Sequence, residues 1–433
     1  MKIALPISFA ILIPQLNFIT NNVFLGHYSK QALAIAGITG VFYLIFASIG
    51  FGLNNGLQAL ISRRAGENRP EEIGKLFNQG VFIAMTIAAL GIILTYLFVP
   101  AIFGLFVKDP VRLEQAVSFL KIRIWGLPFL YIYQMRNALL VGTNQSKYLI
   151  AGTVAETVAN VFLDYVLIFG ALGFPKLGFN GAAYASIVAE FTGMIVVFLV
   201  IYRKGISQRF QLFKHFRWDP KNLKGILNMS APLIFQHAIS IMSWEYFFLL
   251  IDGHGEMALA VSNTMRNVFG LFGAVTWAFA ATTSTMVSNI IGQKKPEQVW
   301  TLIKRLIRIN LSFAIIVAVL LNLFPHLFLS IYGQPAAFTE AALPVIRIVS
   351  IAMILMSVSV IFINAVIGTG NSRVTLIIEA CTIVVYCIYV TIVLKELFLP
   401  IAIGWMSEWL YWMCLLIPSF FYMRSGRWKN KVI

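Results

Sequence analysis

Between residues 155 and 170 the chain reads Ala-Glu-Thr-Val-Ala-Asn-Val-Phe-Leu-Asp-Tyr-Val-Leu-Ile-Phe-Gly. Glu156, Asn160 and Asp164 recur every four residues in a stretch otherwise apolar enough to cross a bilayer. On a helix a step of four drifts by only ~40°, so the three polar groups share one stripe. An ionised side chain at that depth costs a few kcal/mol or more, so it faces a cavity or a partner. A carboxylate beside an amide in such a place is chemistry for holding a small cation or a proton.

The elements around that stripe are membrane helices. The chain of 433 residues is 59% hydrophobic and only 12% charged, with a mean hydropathy of +0.83. A soluble core of this size has no use for so much apolar surface, so the chain reads as an all-α polytopic membrane protein. At ~20 apolar residues per crossing, twelve spans are expected: 3–25, 34–60, 79–100, 119–141, 148–171, 180–202, 226–251, 258–291, 306–332, 343–367, 373–394 and 398–422. Each must be helical, because within lipid a segment satisfies its backbone hydrogen bonds only internally. Residues 3–25 are too long for the apolar part of a cleaved leader and lack a small-x-small cleavage site, so they read as the first span.

The net charge of +16 does not point to nucleic acid, because the basic residues sit in the connections between spans. With a cytoplasmic N-terminus, 23 Lys and Arg fall on the inner side and eight, including Lys121 and Arg123, on the outer. Seven of the inner ones occupy the connection 203–225. The expected location is therefore the plasma (inner) membrane, with both termini in the cytoplasm.

The chain also repeats itself. Pro6 and Pro232, Ala32-Leu33-Ala34 and Ala258-Leu259-Ala260, Gly66 and Gly292, and Gly142-Thr143 and Gly368-Thr369 are all separated by 226 residues. Six spans per copy give the copies the same orientation, hence two parallel repeats related by an axis along the membrane normal. This divides the chain into an N-lobe at 1–202, a basic cytoplasmic linker at 203–225 and a C-lobe at 226–433.

Of the seventeen acidic residues, Glu156, Asp164, Glu190, Glu245, Glu379 and Glu408 fall inside spans, as do Arg136 and Arg266. Such residues either pair to fix helix packing or serve ions and substrates. Asp164 and Glu245, near mid-span, are the stronger candidates, whereas Glu379 and Glu408 lie nearer span ends. Asn17 and Asn21 give the first span a polar face; Asn55 and Gln58 do so for the second, and Tyr131 and Gln134 for the fourth. These groups line a cavity or hydrogen-bond between helices. Trp244 and Trp277 are candidates for holding flat or cationic compounds.

Catalytic patterns are missing. Five scattered histidines form no H-E-x-x-H, and there is no Walker A loop and no G-x-S-x-G, so neither an enzyme nor an ATP-driven machine is indicated. Cys381, Cys387 and Cys414 lie in apolar spans without metal-ligand spacing and read as packing residues.

Taken together, several motifs are similar to those of the multidrug and toxic compound extrusion (MATE) family. They are Ala4-Leu5-Pro6, Val23-Phe24-Leu25-Gly26, Asn160-Val161-Phe162-Leu163-Asp164-Tyr165, Gly181-Ala182-Ala183, Ala231-Pro232 and Ser243-Trp244-Glu245. The resemblance covers essentially the whole chain. It implies export of organic cations or other amphipathic compounds, driven by inward Na⁺ or H⁺, with two lobes rocking about a central cavity. It places the N-lobe cation site on Asn160 and Asp164, which would be the ligands if Na⁺ is the coupling ion. Many members carry an Asp near the end of the first helix; here Asn21 stands there, which can coordinate or hydrogen-bond but not titrate. The seventh-helix Glu of the family falls on Glu245, and Glu156 and Glu190 are possible helpers. No cofactor is expected beyond the coupling ion, and a monomer acting on small molecules within the bilayer is the expected form. The alternative is a lipid-linked oligosaccharide flippase of the same wider superfamily, which would call for an arginine-rich cavity; only Arg136 and Arg266 offer themselves.

Overall fold

The computed structural model describes residues 4–107, 109–214, 217–330, 336–429 and 431, with side chains at all of these except 14–19, 22, 30, 33, 34 and 106. The side chain of Asn17 therefore lies outside the described residues. The described chain is helical and contains no strand. Among the described residues eleven helical segments are long and apolar enough to cross a membrane, and they follow a first helix of 25 residues.

The helices are α1 (Ala4–Tyr28), α2 (Lys30–Gly66), α3 (Pro70–Phe106), α4 (Pro110–Arg123), α5 (Leu127–Gly142), α6 (Leu149–Phe169), α7 (Phe179–Arg203) and the short α8 (Ile206–Arg209). They continue with α9 (Pro220–Asp252), α10 (Glu256–Gly292), α11 (Gln298–Leu323), the short α12 (Pro325–Ser330), α13 (Ala336–Gly368), α14 (Ser372–Val390), α15 (Ile401–Trp405) and α16 (Ser407–Ser425). Most outrun the apolar runs that announce them, since a helix goes on until its ends are capped or broken. The fourth span differs at its start. The apolar pattern starts it at 119, but its helix begins at Pro110, where Asp109 accepts a hydrogen bond from the Val111 amide at 3.0 Å. Lys121 and Arg123, inside the expected span, lie in the last turn of α4, and a 3₁₀ turn at Ile124–Gly126 joins α4 to α5. The ninth span, expected over 306–332, runs instead from Gln298 to Leu323, because Pro325 cannot continue the helix.

The chain forms two compact units, Met1–Ser230 and Ala231–Ile433. In the first, α6 packs against α7 and α1, while α2 and α3 pack against α5. In the second, α13 is central, packed by α10, α11 and α16, and α14 lies against α16. The 226-residue repeat survives in the backbone joints. Positive φ angles recur at Asn68 and Lys294 (57° and 61°), at Asn144 and Gly370 (62° and 91°), and at Leu172 and Phe398 (55° and 47°). It survives in packing as well. A Cβ on Gly142 would meet the Gln58 carbonyl and Ile61, and one on Gly368 would meet the Ser284 carbonyl and Val287, all 226 residues further on.

The connection after α7 is strapped to α3. Gln79 donates to the Arg217 carbonyl at 2.7 Å, and Asn78 accepts from the Phe213 amide at 3.1 Å. Phe213 meets Phe77 edge-on at 5.6 Å between ring centres, and Trp218 meets Phe82 at 5.0 Å. At Gly74 any side chain is forbidden, because a Cβ would lie 2.0 Å from the Phe210 carbonyl oxygen.

Candidate functional site

Helix α6 shows two opposed faces. Asn160 and Asp164 are buried, at 1% and 0% exposure, while Val158, Phe162 and Tyr165 point outward. The four-residue spacing thus puts amide and carboxylate on the inner face, one turn apart. Asn160 donates from Nδ2 to Ser186 Oγ on α7 at 3.5 Å. Glycines let α7 come this close. A Cβ on Gly193 would stand 2.9 Å from Glu156 Cβ, and one on Gly152 would stand 2.2 Å from Val197 Cγ2. A carboxylate, an amide and a hydroxyl offer oxygen ligands suited to a hard cation, and the carboxylate by itself accepts a proton. Among the described residues no three His, Cys, Asp or Glu side chains gather as a metal cluster.

Glu156, the third member of the stripe, belongs to a different arrangement. It stands within electrostatic reach of Glu190, Arg136 and Arg123. Glu190 on α7 takes a two-pronged hydrogen bond from Arg123, at 2.5 and 3.1 Å, with side chains only 10% and 13% exposed. The Arg123 guanidinium also lies 4.1 Å from the Tyr43 ring centre. Arg136 is fully buried, donates to the Gly193 carbonyl at 3.2 Å and lies over the Tyr133 ring at 3.9 Å. Two acids and two arginines therefore form one charge-balanced network. Arg123 and Tyr43 are functional candidates that hydropathy alone misses, because Arg123 lies near the outer end of the expected fourth span and counts there among the orienting cations.

The remaining candidates are spread out. Tyr131 and Gln134 are buried against Gly50 of α2, with the Tyr131 hydroxyl donating to the Phe46 carbonyl at 3.0 Å. Gln58 is buried and Asn55 half-buried on α2, and Asn21 is half-buried on α1. In the second unit Arg266 donates to Glu245 at 2.8 Å, and both side chains are about two-fifths exposed, at 38% and 40%. Trp244 belongs to an aromatic cluster with Phe247, Phe248, Phe269 and Trp405, whereas Trp277 is exposed at 41%. Burial does not follow the order of the acids by sequence position: Asp164 is buried, but so are the two nearest span ends, while Glu245 is partly exposed. Glu379 and Glu408, the shallowest by sequence position, are 2% and 3% exposed. Glu379 sits two turns into α14, and α15 folds ahead of Glu408.

Comparison with known proteins agrees with this architecture. A curated relative from Thermotoga maritima, a probable multidrug resistance protein NorM, is 24% identical over 442 residues, covering 100% of this chain and 93% of that protein. A second, from Halalkalibacterium halodurans and bearing the same name, is 27% identical over 73% of this chain and 69% of its own length. Among solved structures, a MOP superfamily transporter from Pyrococcus furiosus superposes with a TM-score of 0.88 at 16% identity, covering 100% of this chain and 96% of that one. An outward-facing multidrug resistance MATE family transporter also gives 0.88, at 18% identity over 98% and 94%. At such identities the structures speak for the fold. The MatE family profile matches residues 6–166 and 232–393, one stretch in each repeat. That match covers most of the chain, and on it the protein belongs to the MatE family of membrane transporters.

Proposed function

We propose that this protein is a secondary active transporter that exports amphipathic or cationic compounds in exchange for inward Na⁺ or H⁺. Asp164 and Asn160 are its coupling site in the first unit, and Asn21 of α1, which packs against α6, is a neutral neighbour able to hydrogen-bond or coordinate. The observation that carries the reading is the burial of Asp164, with Asn160 one turn away on the face of α6 turned to Ser186. A Na⁺ or proton reaching Asp164 neutralises a charge that is costly at that depth. Occupied and empty forms then favour different conformations, which is all that exchange transport requires. Glu156 and Glu190 act as helpers by holding the charge network beside the same helix, and Glu245, paired with Arg266, is the coupling candidate of the second unit, with no counterpart in the repeat. The 23-to-eight distribution of basic residues supports cytoplasmic termini, and relatives named as multidrug resistance proteins support the substrate class. Alternating access by rocking of two lobes follows the same family logic, with the monomer as the working form.

The test is efflux from proteoliposomes under an imposed Na⁺ gradient and, separately, an imposed pH gradient. One of the two should drive efflux, and Asp164→Asn should abolish that drive while leaving the protein folded. If Asp164→Asn and Glu245→Gln both leave ion-driven efflux unchanged, the coupling assignment is wrong.

A further inference from the structure

The internal repeat makes α3 and α11 equivalent, and their core-facing sides agree. Ile73 and Val299, Leu76 and Leu302, and Phe77 and Ile303, each pair 226 residues apart, are all buried. A second face of the two helices differs. On α3 it is the seat of the strap: Gly74 admits the Phe210 carbonyl, Asn78 and Gln79 bond the strap backbone, and Phe82 meets Trp218. At the four equivalent positions α11 carries Trp300, Lys304, Arg305 and Arg308. A tryptophan in the place of Gly74 leaves no room for a strap carbonyl. Its ring instead packs against Phe362 of α13 and Phe420 of α16, at 6.1 Å from each ring centre. The three cations are exposed, and among the described residues none of them makes an ion pair. Lys75, at the same end of α3, has Glu72 at 3.4 Å.

We propose that this face of α11, which the first unit covers with protein, is a binding surface for the headgroups of anionic phospholipids in the second. Two observations choose a lipid over a soluble anion. The cations begin a helical stripe that runs on through Ser312 to Ile315, Ile316, Val319 and Leu323, all exposed. One side of α11 therefore passes from cationic to apolar without a break, the order in which a phospholipid presents its phosphate and its acyl chains. Trp300 stands at the cationic end of that stripe, the level at which tryptophan anchors a membrane helix. Arg424, exposed and one turn beyond Phe420 on α16, adds a fourth cation beside the same ring pair. The long stems of Lys and Arg let the charge reach headgroup level, and a guanidinium fork matches two phosphate oxygens at once. This surface rests on the repeat and on exposed charge, not on the coupling scheme.

The experiment is photo-crosslinking of the full chain in bilayers, with phosphatidylglycerol and phosphatidylcholine that carry the same photoactivatable group beside the headgroup. Labelled peptides are mapped by mass spectrometry. One cation at headgroup level is worth up to about fivefold in local preference for an anionic lipid. Phosphatidylglycerol should therefore label residues 300–312 at least several-fold more than phosphatidylcholine, and the difference should shrink as salt is raised. The triple variant Lys304→Gln, Arg305→Gln, Arg308→Gln should abolish the preference, whereas Lys304→Arg should keep it. Residues 74–82, under the strap, should show none. Equal labelling of 300–312 by the two lipids overturns the proposal, and so does a triple variant that keeps the preference. Glycerol phosphate in the buffer should not compete; if it does, the cations serve a soluble anion and the lipid assignment falls. Should the triple variant fail to fold, Arg308→Gln alone carries the comparison, and an unchanged preference in it overturns the proposal. Asp164 and Glu245 stay intact throughout, so failure here does not bear on the coupling sites.

Discussion

The Arg123–Glu190 pair should be worth unequal amounts when its two partners are removed in turn. Both side chains are almost buried, and the guanidinium bonds both carboxylate oxygens. Stranding one member of such a pair costs about 3–5 kcal/mol. In Glu190→Gln the stranded Arg123 still has the Tyr43 ring at 4.1 Å and Glu156 within reach. A partly desolvated cation–π contact returns about 1–2 kcal/mol, so the net cost should be about 2–3 kcal/mol. In Arg123→Met the carboxylate of Glu190 loses its one close cation and both donors, and the cost should reach the full ~3–5 kcal/mol. The double variant Arg123→Met with Glu190→Leu removes both charges and should recover most of the loss, because apolar replacement of a buried pair is often neutral. Reversible unfolding in mixed detergent micelles measures all three. Two single variants that each cost under about 1 kcal/mol, or effects that simply add in the double variant, would refute the reasoning.

Other expectations follow from the same geometry. Gly126→Ala would place a Cβ 2.2 Å from Arg123 Nη1 and 2.5 Å from Glu190 Oε2; the ~1 kcal/mol gained in helix propensity should be outweighed by the ~1.5–3 kcal/mol of a displaced charged hydrogen bond, read as a net loss in the same unfolding assay. Gly152→Ala, whose Cβ would sit 2.2 Å from Val197 Cγ2, should force α6 and α7 apart at ~1–3 kcal/mol and lower efflux together with stability. Glu245→Gln should change stability by less than about 1 kcal/mol, because its ion pair is exposed and screened; any strong effect on efflux would then come from function. Trp405→Ala, at 0% exposure inside its aromatic cluster, should cost about 3–5 kcal/mol, seen as a large drop in unfolding midpoint.

What the sequence makes legible depends on distance along the chain. The Asn160–Asp164 spacing is local, so a helical period alone puts both on one face. The duplication is legible as well, because its markers are proline and glycine, residues whose backbone demands do not depend on neighbours. The Arg123–Glu190 bond joins residues 67 positions apart, and no periodicity reports on such a pairing. Glu408 escapes hydropathy for a similar reason. Depth read from hydropathy measures position along one helix, whereas its burial comes from Tyr386 and Trp412 across and along the α14–α16 seam. Trp244 is a parallel case, since whether an aromatic ring fills a core or lines a cavity is decided by which other rings arrive beside it.

The strap between α7 and α9 has a practical consequence for anyone who divides the protein. A cut at residue 203, where the last apolar span of the first repeat ends, would strip Phe213 and Trp218 from α3 and leave Phe77 and Phe82 uncovered. The fragment would then carry a sticky apolar patch, a recipe for aggregation during co-expression of halves. A cut after Trp218 keeps that cover in place. The segment that looks like a spacer is thus cargo of the first half, and the usable seam for splitting, tagging or re-linking lies about fifteen residues later than the apolar pattern suggests.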